Sequence, residues 1–272
     1  MYEFQHPTPV TVALKVRAGV IRLYAESRDD VLVTVEPMDG KDASRDAAEQ
    51  TRVVLEGDTV IIEVPGADNA WMWRRSAKLA ITVHAPAGSS VTGRSASADL
   101  TATGDWSAVT LDVASADVQI DSAAADVHID SASGDIRLGL VGGSASLESS
   151  SGDMRVGDVT GDVSVKSASG DIRLGAVGRS LRVSTASGDV EVGRLTQGRS
   201  ELKTASGDVS IGIAAGVNVW LDLNTASGRT ISGLNPQPAP ATTTDQPLLE
   251  LRVRTASGDI EINRAILDRK AA

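Results

Sequence analysis

The amino-acid sequence predicts an all-β fold, a single-stranded β-solenoid of the β-helix or β-roll type. The first observation is a repeated phrase that ends in Ser-Gly-Asp and a Val, Ile or Met residue, and that begins at residues 131, 149, 167, 185 and 204. The second is its spacing, because Asp135, Asp153, Asp171 and Asp189 follow one another every 18 residues. The third is composition, since 41% of residues are hydrophobic but only 3% are aromatic. A fixed period near 20 with a thin aliphatic core indicates stacked rungs of about 18 residues.

Each period consists of two halves of nine residues. Counted from the aspartate, aliphatic residues occupy the first, third and sixth following positions, as in Ile136, Leu138 and Val141. The alternation with period two predicts a short strand with one face inward, and the sixth residue is expected to turn back toward the core. In the alternate halves that sixth position holds alanine, as at Ala168 and Ala186. The sequence therefore predicts one edge of the core lined by bulky side chains and the other by alanine.

The regions outside the phrase are assigned to the ends of the solenoid. Residues 1–93 lack the phrase but contain predicted strands at 11–16, 31–35, 60–64 and 79–83, so they are expected to form opening rungs or a β-rich cap. The repeats are predicted to span 94–263, in about nine rungs. A proline-rich insertion at 235–247 is expected to bulge from one rung, because proline cannot donate to a ladder. Residues 264–272 are predicted to form a short helix that caps the last rung.

These features together resemble the DUF4097 family of adhesin-like proteins with β-strand repeats. The resemblance is carried by the strands between Val12 and Val35, by the segment from Ile81 to Ser89 in which a strand ends at a proline, and by the iterated Ser-Gly-Asp. It covers nearly the whole chain. The resemblance implies a β-solenoid with no established catalytic residues. Adhesion and association with the cell envelope are implied by analogy only.

The repeated aspartates are the first candidate site. They are expected to stack along one edge, where carboxylates about 5 Å apart repel by about 0.8 kcal/mol per pair in water. One interpretation is that each carboxylate accepts hydrogen bonds from backbone N–H groups of its own turn, which offsets this repulsion. The alternative is a column of Ca²⁺ ions, as in nonapeptide β-rolls, but a single glycine per phrase guarantees too few oxygen ligands. Arg229 replaces one aspartate, which also favours the structural interpretation. The candidate metal column is Asp135, Asp153, Asp171, Asp189 and Asp208.

The second candidate is a patch that the repeat does not explain. Trp71, Trp73, Arg74 and Arg75 lie together, and on a strand the two tryptophans would share a face. Tryptophan and arginine dominate interface hot spots, so this patch is a candidate interaction surface. The alternative is that the tryptophans fill the wide end of the core.

The sequence predicts no catalytic residues and no cofactor. The three histidines share no ligand spacing, the serines recur without a unique base, and no phosphate-binding glycine motif occurs. A polysaccharide-active β-helix enzyme stays open as an alternative. The net charge of −10 argues against nucleic acid as a partner. The chain shows no signal peptide and no apolar run of the roughly 20 residues that cross a membrane, so a cytoplasmic location without membrane insertion is expected. The predicted function is a non-catalytic scaffold for a protein partner or for self-assembly.

Overall fold

The computed structural model describes residues 1–65, 77–234 and 248–265, which are almost entirely β-strand. The elements before the repeats are β1 (Tyr2–Gln5), β2 (Thr11–Glu26), β3 (Asp30–Pro37), α1 (Asp42–Gln50), β4 (Arg52–Glu56), β5 (Thr59–Glu63) and β6 (Leu79–Pro86). The next strands are β7 (Ser90–Trp106), β8 (Val109–Ser115), β9 (Val118–Ala123), β10 (Val127–Ser133), β11 (Ile136–Val141), β12 (Ala145–Ser149), β13 (Met154–Val156), β14 (Val163–Ser169) and β15 (Ile172–Val177). The remaining strands are β16 (Leu181–Ser187), β17 (Val190–Leu195), β18 (Gly198–Ser206), β19 (Val209–Ile213), β20 (Asn218–Ser227), β21 (Thr230–Ser232), β22 (Leu248–Ser257) and β23 (Ile260–Arg264).

The strands stack in two ladders. The first ladder has the spatial order β4, β5, β2, β7, β8, β10, β12, β14, β16, β18, β22, β20. The second has the order β1, β3, β6, β2, β7, β9, β11, β13, β15, β17, β19, β23, β21. The long strands β2 and β7 contribute one half to each ladder. One rung is therefore a first-ladder strand followed by a second-ladder strand, and successive rungs pair in parallel. This arrangement confirms the predicted β-solenoid.

The inward side chains of both ladders form one continuous aliphatic core. Ile136, Leu138 and Val141 are all buried, as the nine-residue pattern predicts. The prediction for the alanines is wrong, because Ala168 and Ala186 are exposed. The strand continues straight through the Ser/Thr-Ala-Ser segment, so strict alternation turns the alanine outward and the hydroxyl residue before it inward. Each inward hydroxyl group at this edge donates a hydrogen bond to the backbone carbonyl two residues later. The donors are Ser131, Ser149, Thr185, Thr204 and Thr255.

The turn that joins the two strands of a rung explains the glycine of the repeated phrase. Gly170 has φ of 111°, which side chains rarely allow, and a Cβ on it would lie 2.2 Å from the carbonyl oxygen of Gly152 in the adjacent rung. The stacked turns therefore pass too close for any other residue.

The chain does not stack its last rungs in sequence order. The β22/β23 rung pairs on one side with β18/β19 and on the other with β20/β21, although β20/β21 comes earlier in the chain. The outermost described rung at this end is therefore β20/β21. The nine rungs from β7 to this end agree with the number expected from the repeat.

The opposite end is closed by strands that change direction. The β5/β6 rung lies outside β2, and it is covered in turn by β4 and β3, which both run antiparallel to it. Strand β1 pairs antiparallel with β3, and helix α1 packs on β3 and β6. The four strands predicted in residues 1–93 correspond to β2, β3, β5 and β6, which confirms them. Helix α1 was not predicted.

Two predicted end features fall largely outside the described residues. These are the proline-rich insertion at 235–247 and residues 266–272 of the expected capping helix. Arg264, which the sequence assigns to that cap, belongs instead to strand β23.

Candidate interaction face

The repeated aspartates form a continuous hydrogen-bonded column along the turn edge. In each rung, the aspartate Oδ1 accepts a hydrogen bond from the backbone N–H at the same position of the next rung, at 2.8–3.1 Å. The column has the order Asp99, Asp117, Asp135, Asp153, Asp171, Asp189, Asp208, Asp259 and Arg229. The prediction that each carboxylate serves its own turn is wrong, because the acceptor links neighbouring rungs. The aspartate is therefore the side-chain contact that fixes one turn on the next.

Arginines neutralise part of the column from the outer face of the second ladder. Arg137, Arg155 and Arg173 each donate to Oδ2 of the aspartate two residues earlier, at 2.7, 3.1 and 3.1 Å. Both oxygens of those three carboxylates are thus engaged. Among the residues described, no group of three or more side chains that bind metals comes together. The geometry accounts for the candidate column Asp135–Asp208 as a structural ladder.

Arg229 occupies the last place of the column, where no further described rung offers an N–H. Its backbone N–H donates to Asp259 Oδ1 at 2.8 Å, and its guanidinium donates to Oδ2 at 2.8 and 3.2 Å. These hydrogen bonds lower the pKa of the Asp259 carboxyl group. The backbone hydrogen bond is the larger cause, and the side-chain hydrogen bond is the next largest. The side-chain hydrogen bond in turn raises the pKa of Arg229. The exception in the repeat therefore marks the end of the stack.

The tryptophan patch cannot be placed. Trp71, Trp73, Arg74 and Arg75 lie outside the described residues.

A long shallow groove crosses the outer face of the first ladder. Its volume is about 870 Å³, and it extends from β10 to β22 along the starts of the strands. Four outward residues are in register on neighbouring strands, namely His128 on β10, Ser146 on β12, Ser164 on β14 and Arg182 on β16. Because serine is short, the surface dips between these larger neighbours. Arg182 and Arg199 line the end of the groove nearest β22.

A second groove continues the first toward the capped end. It has a volume of about 700 Å³ and shares His128 with the first groove. Its lining includes outward residues of β2, β5, β7 and β8. The two grooves form one trough, which we call the outer trough. Its sequence signal is the run of small hydroxyl residues at outward positions 18 residues apart, which the prediction did not use.

The histidines take separate places and pair with different carboxylates. His6 contacts Asp58 at 3.1 Å, His84 contacts Glu26 at 3.2 Å, and His128 contacts Asp130 at 3.3 Å. His84 also stacks on Tyr24 with the ring centroids 4.8 Å apart. None of these pairs adjoins a second histidine.

The sequence model of the family Toastrack DUF4097 matches residues 14–263. The chain therefore belongs to this family, as the sequence resemblance indicated. No curated protein shows a significant match.

Several solved structures are similar to this chain at low identity. A candidate adhesin from Bacteroides fragilis is 14% identical, with a TM-score of 0.34 and coverage of 96% of this chain and 95% of that one. A candidate lipid-binding protein from Parabacteroides distasonis is 12% identical, with a TM-score of 0.41 and coverage of 97% and 96%. A candidate cell adhesion protein from Clostridium sporogenes is 8% identical, with a TM-score of 0.23 and coverage of 97% and 99%. None of the three names is that of an enzyme. All three TM-scores are below 0.5, so these likenesses carry no argument about function.

No helix among the described residues has the length and apolar character needed to span a membrane.

Proposed function

We propose that this protein is a non-catalytic scaffold that binds another macromolecule along the outer trough. The observation that carries the proposal is the trough itself, whose two grooves meet at His128 and together extend from β5 to β22 on one face. Its two parts are open and shallow, so they fit an extended partner better than an enclosed small molecule. The same ladder register repeats the outward positions rung after rung, so a partner with repeating units meets repeated contacts.

The chemistry of the trough supports binding rather than catalysis. Asp126 and Asp162 lie along it, but each accepts a hydrogen bond from the backbone N–H one rung away, at Ser144 and Ser180. These carboxylates hold the turns together. His128 is paired with Asp130, and its neighbours in register on the two adjacent strands are Thr110 and Ser146, which are neither acids nor bases. The arrangement offers hydrogen bonds and charges on a rigid surface.

The proposal is tested by blocking one face at a time. The chain has no cysteine, so Ser146→Cys places a unique label site in the trough, and Ser210→Cys places one on the outer face of the second ladder. Each variant is coupled to a polyethylene glycol maleimide and applied to immobilised bacterial cell-surface fractions, separated into protein and polysaccharide. Loss of binding with the Ser146 label and retention with the Ser210 label is the expected result.

Equal binding by both labelled variants would remove the trough from consideration. Unlabelled Ser146→Cys and Ser210→Cys proteins serve as controls for the substitutions themselves.

A second candidate function is end-to-end association of two copies. It is favoured by the outermost described rung, where the outer edge of β20 pairs with no other described strand and Trp220 and Ile231 are each 48% exposed. Unpaired strand edges accept further strands, and a second copy brings the same edge in a two-fold arrangement. Sedimentation over a wide concentration range should then show a dimer. A monomer throughout would exclude this association.

A further inference from the structure

We infer that the partner of the outer trough is an anionic polysaccharide, and that it binds the half of the face formed by β14, β16, β18 and β22. This inference rests on the proposed function and names the ligand class for that surface. Carboxylate or sulfate groups on the sugars would meet the arginines and lysines of this half, which we call the basic face.

The charge of the basic face is opposite to that of the whole chain. The charged residues of its four strands are six cations and two carboxylates, a net of +4, on a protein with a net charge of −10. The cations are Lys166, Arg182, Arg199, Lys203, Arg252 and Arg254, and the carboxylates are Glu201 and Glu250. The half nearer the capped end has Lys15 and Arg94 against Glu63, Asp112 and Asp130. Lys166 and Arg252 also pair with Glu148 and Asp222 on the flanking strands β12 and β20, and counting these two carboxylates lowers the net charge of the basic face to +2, against −1 for the half nearer the capped end. Positive charge is therefore concentrated at one end of the trough.

Exposure increases this asymmetry. The side chains of Glu201 and Glu250 are 25% and 31% exposed, whereas those of Lys203 and Arg199 are 54% and 72% exposed. The acidic groups lie low between the strands and their partners extend outward. The pKa of Glu201 is lowered, mainly because Lys203 donates a hydrogen bond to its carboxylate. This carboxyl group therefore stays ionised.

Two arginines are available for a ligand. Arg182 and Arg254 are exposed, and neither forms an ion pair within the described part of the chain. Arg182 also lines the groove beside Arg199. A guanidinium group presents donors in a planar fork that matches a carboxylate or sulfate group. These two properties make Arg182 the central cation of the site.

The floor and the far end of the groove suit a sugar. Ser144, Ser146, Ser164 and Ser180 line the groove with hydroxyl groups, which donate and accept hydrogen bonds as sugar hydroxyls do. Trp220 lies next to Glu250 across β22 and is 48% exposed, with the guanidinium of Arg252 5.9 Å from its ring centroid. An exposed indole offers an apolar ring face beside cations. The combination favours a polymer with both hydroxyl-rich and anionic units.

A nucleic acid is the competing polyanion. Trp220 on β20, at the border of the basic face, is the single exposed Trp, Tyr or Phe among the described residues of this ladder, whereas single-stranded nucleic acid is held by successive stacked bases. The net charge of −10 also opposes a densely charged phosphate polymer over its length. A polysaccharide with sparser charges fits this balance better.

The test compares defined polymers on matched variants. The probes are heparin, polygalacturonate, neutral dextran and a single-stranded oligodeoxynucleotide, measured by biolayer interferometry with the full chain. Arg182→Ser/Arg199→Ser removes two cations from the basic face, and Arg22→Ser/Arg45→Ser removes two exposed cations that lie outside the outer trough. We expect at least one anionic polysaccharide to bind, and the first double variant to bind it roughly tenfold or more weakly, since each charge-assisted hydrogen bond is worth about that factor. The control variant should bind as the native chain does, and dextran should not bind.

Equal weakening in both double variants, equal binding of dextran, or tighter binding of the oligonucleotide would overturn the inference. The two proposals fail separately. If the Ser146 label blocks binding of a protein fraction while neither anionic polysaccharide binds, the trough remains a binding surface and its ligand is not an acidic glycan.

Discussion

The two ends of the solenoid are built in opposite ways. At the β4 and β1 end, the chain reverses direction, so antiparallel strands and helix α1 cover the last parallel rung. Val33, Val60 and Ile62 at that end are fully buried. At the β20/β21 end, the inward residues Leu221 and Leu223 are only partly buried, whereas their register partners Leu251 and Val253 on β22 are fully buried. Among the residues that the structure describes, the same rung geometry therefore gives a closed core at one end and an open edge at the other.

The repeat specifies how one rung stacks on the next, but it does not specify how the stack ends. A parallel rung always presents a free edge to the next rung, and only a change of strand direction or an added helix removes it. The two ends have one feature in common, which is pairing of a strand or rung on both of its sides. The strand β2 and the β22/β23 rung are each paired on both sides, so neither lies outermost. Pairing on two sides opposes fraying of these segments.

The largest effect is expected from a core truncation at the closed end. Ile62→Ala removes a fully buried side chain that has neighbours on both sides, at a cost of about 2–5 kcal/mol. Leu221→Ala at the β20/β21 end should cost less, about 1–2 kcal/mol, because that side chain is only partly buried. Urea denaturation followed by circular dichroism measures both. Equal costs would mean that the open end is covered in solution.

The next effect concerns the glycine turns. Gly258→Ala should cost about 1–3 kcal/mol from the backbone conformation alone, with φ of 138°. The added Cβ would also lie 2.1 Å from the carbonyl oxygen of Gly207 and push the rungs apart. Gly57→Ala, in the β4–β5 hairpin, has φ of 58° and no atom within 4 Å, so about 1–2 kcal/mol is expected. Thermal melts rank the two, and a larger loss for Gly57→Ala would contradict the stacked-turn geometry.

A smaller effect is expected at the end of the aspartate column. Arg229→Asp restores the repeat residue at a place where no further described rung donates a backbone hydrogen bond to it, and it places a carboxylate beside Asp259. Hydrogen exchange should show weaker protection of β20 and β21 with unchanged protection of β10 and β11. Arg229→Lys, which keeps the charge, is the control and should lie between the variant and the native chain. Stronger protection after Arg229→Asp would show that the column continues beyond this rung.

The smallest effect is a pH dependence at the closed end. Hydrogen bonds from Lys41 and then Ser44 lower the pKa of Asp39 from 3.8 to about 2. Because the folded pKa is the lower one, ionised Asp39 stabilises the fold above pH 3.8, and this contribution is lost as the pH falls toward 2. Asp39→Asn should lower the melting temperature slightly at pH 7 and remove this part of the acid sensitivity. Melting temperatures of both proteins between pH 6 and pH 2 provide the check, and parallel curves would count against it.

Much of the fold can be predicted from the sequence because the pattern that specifies each rung is local. The alternation at Ile136 and Leu138 fixes which face is inward, and the 18-residue spacing fixes the rung. The order of the last rungs is not local. Strands β18, β20 and β22 all end in Thr-Ala-Ser, so each can stack on any other, and only Arg229 distinguishes the outer one.

The trough shows a second limit of sequence reasoning. Its serines look like ordinary outward residues in each strand, and the groove exists only because Ser146 and Ser164 become neighbours across rungs. The prediction concentrated on the conspicuous aspartates, which the structure uses to connect turns. The small outward residues that lie in register between larger ones predict the trough better than the aspartates do.

The spatial order of the last three described rungs can be tested with pairs of introduced cysteines, because the chain has no cysteine of its own. Ser206 is in register with Ser257, which is in register with Ser227 on its far side. Adjacent strands are about 4.8 Å apart, within reach of a disulfide, whereas strands two rungs apart are not. Oxidation should therefore cross-link Ser206→Cys/Ser257→Cys and leave Ser206→Cys/Ser227→Cys reduced. Cross-linking of the second pair and not the first would show that the rungs stack in sequence order.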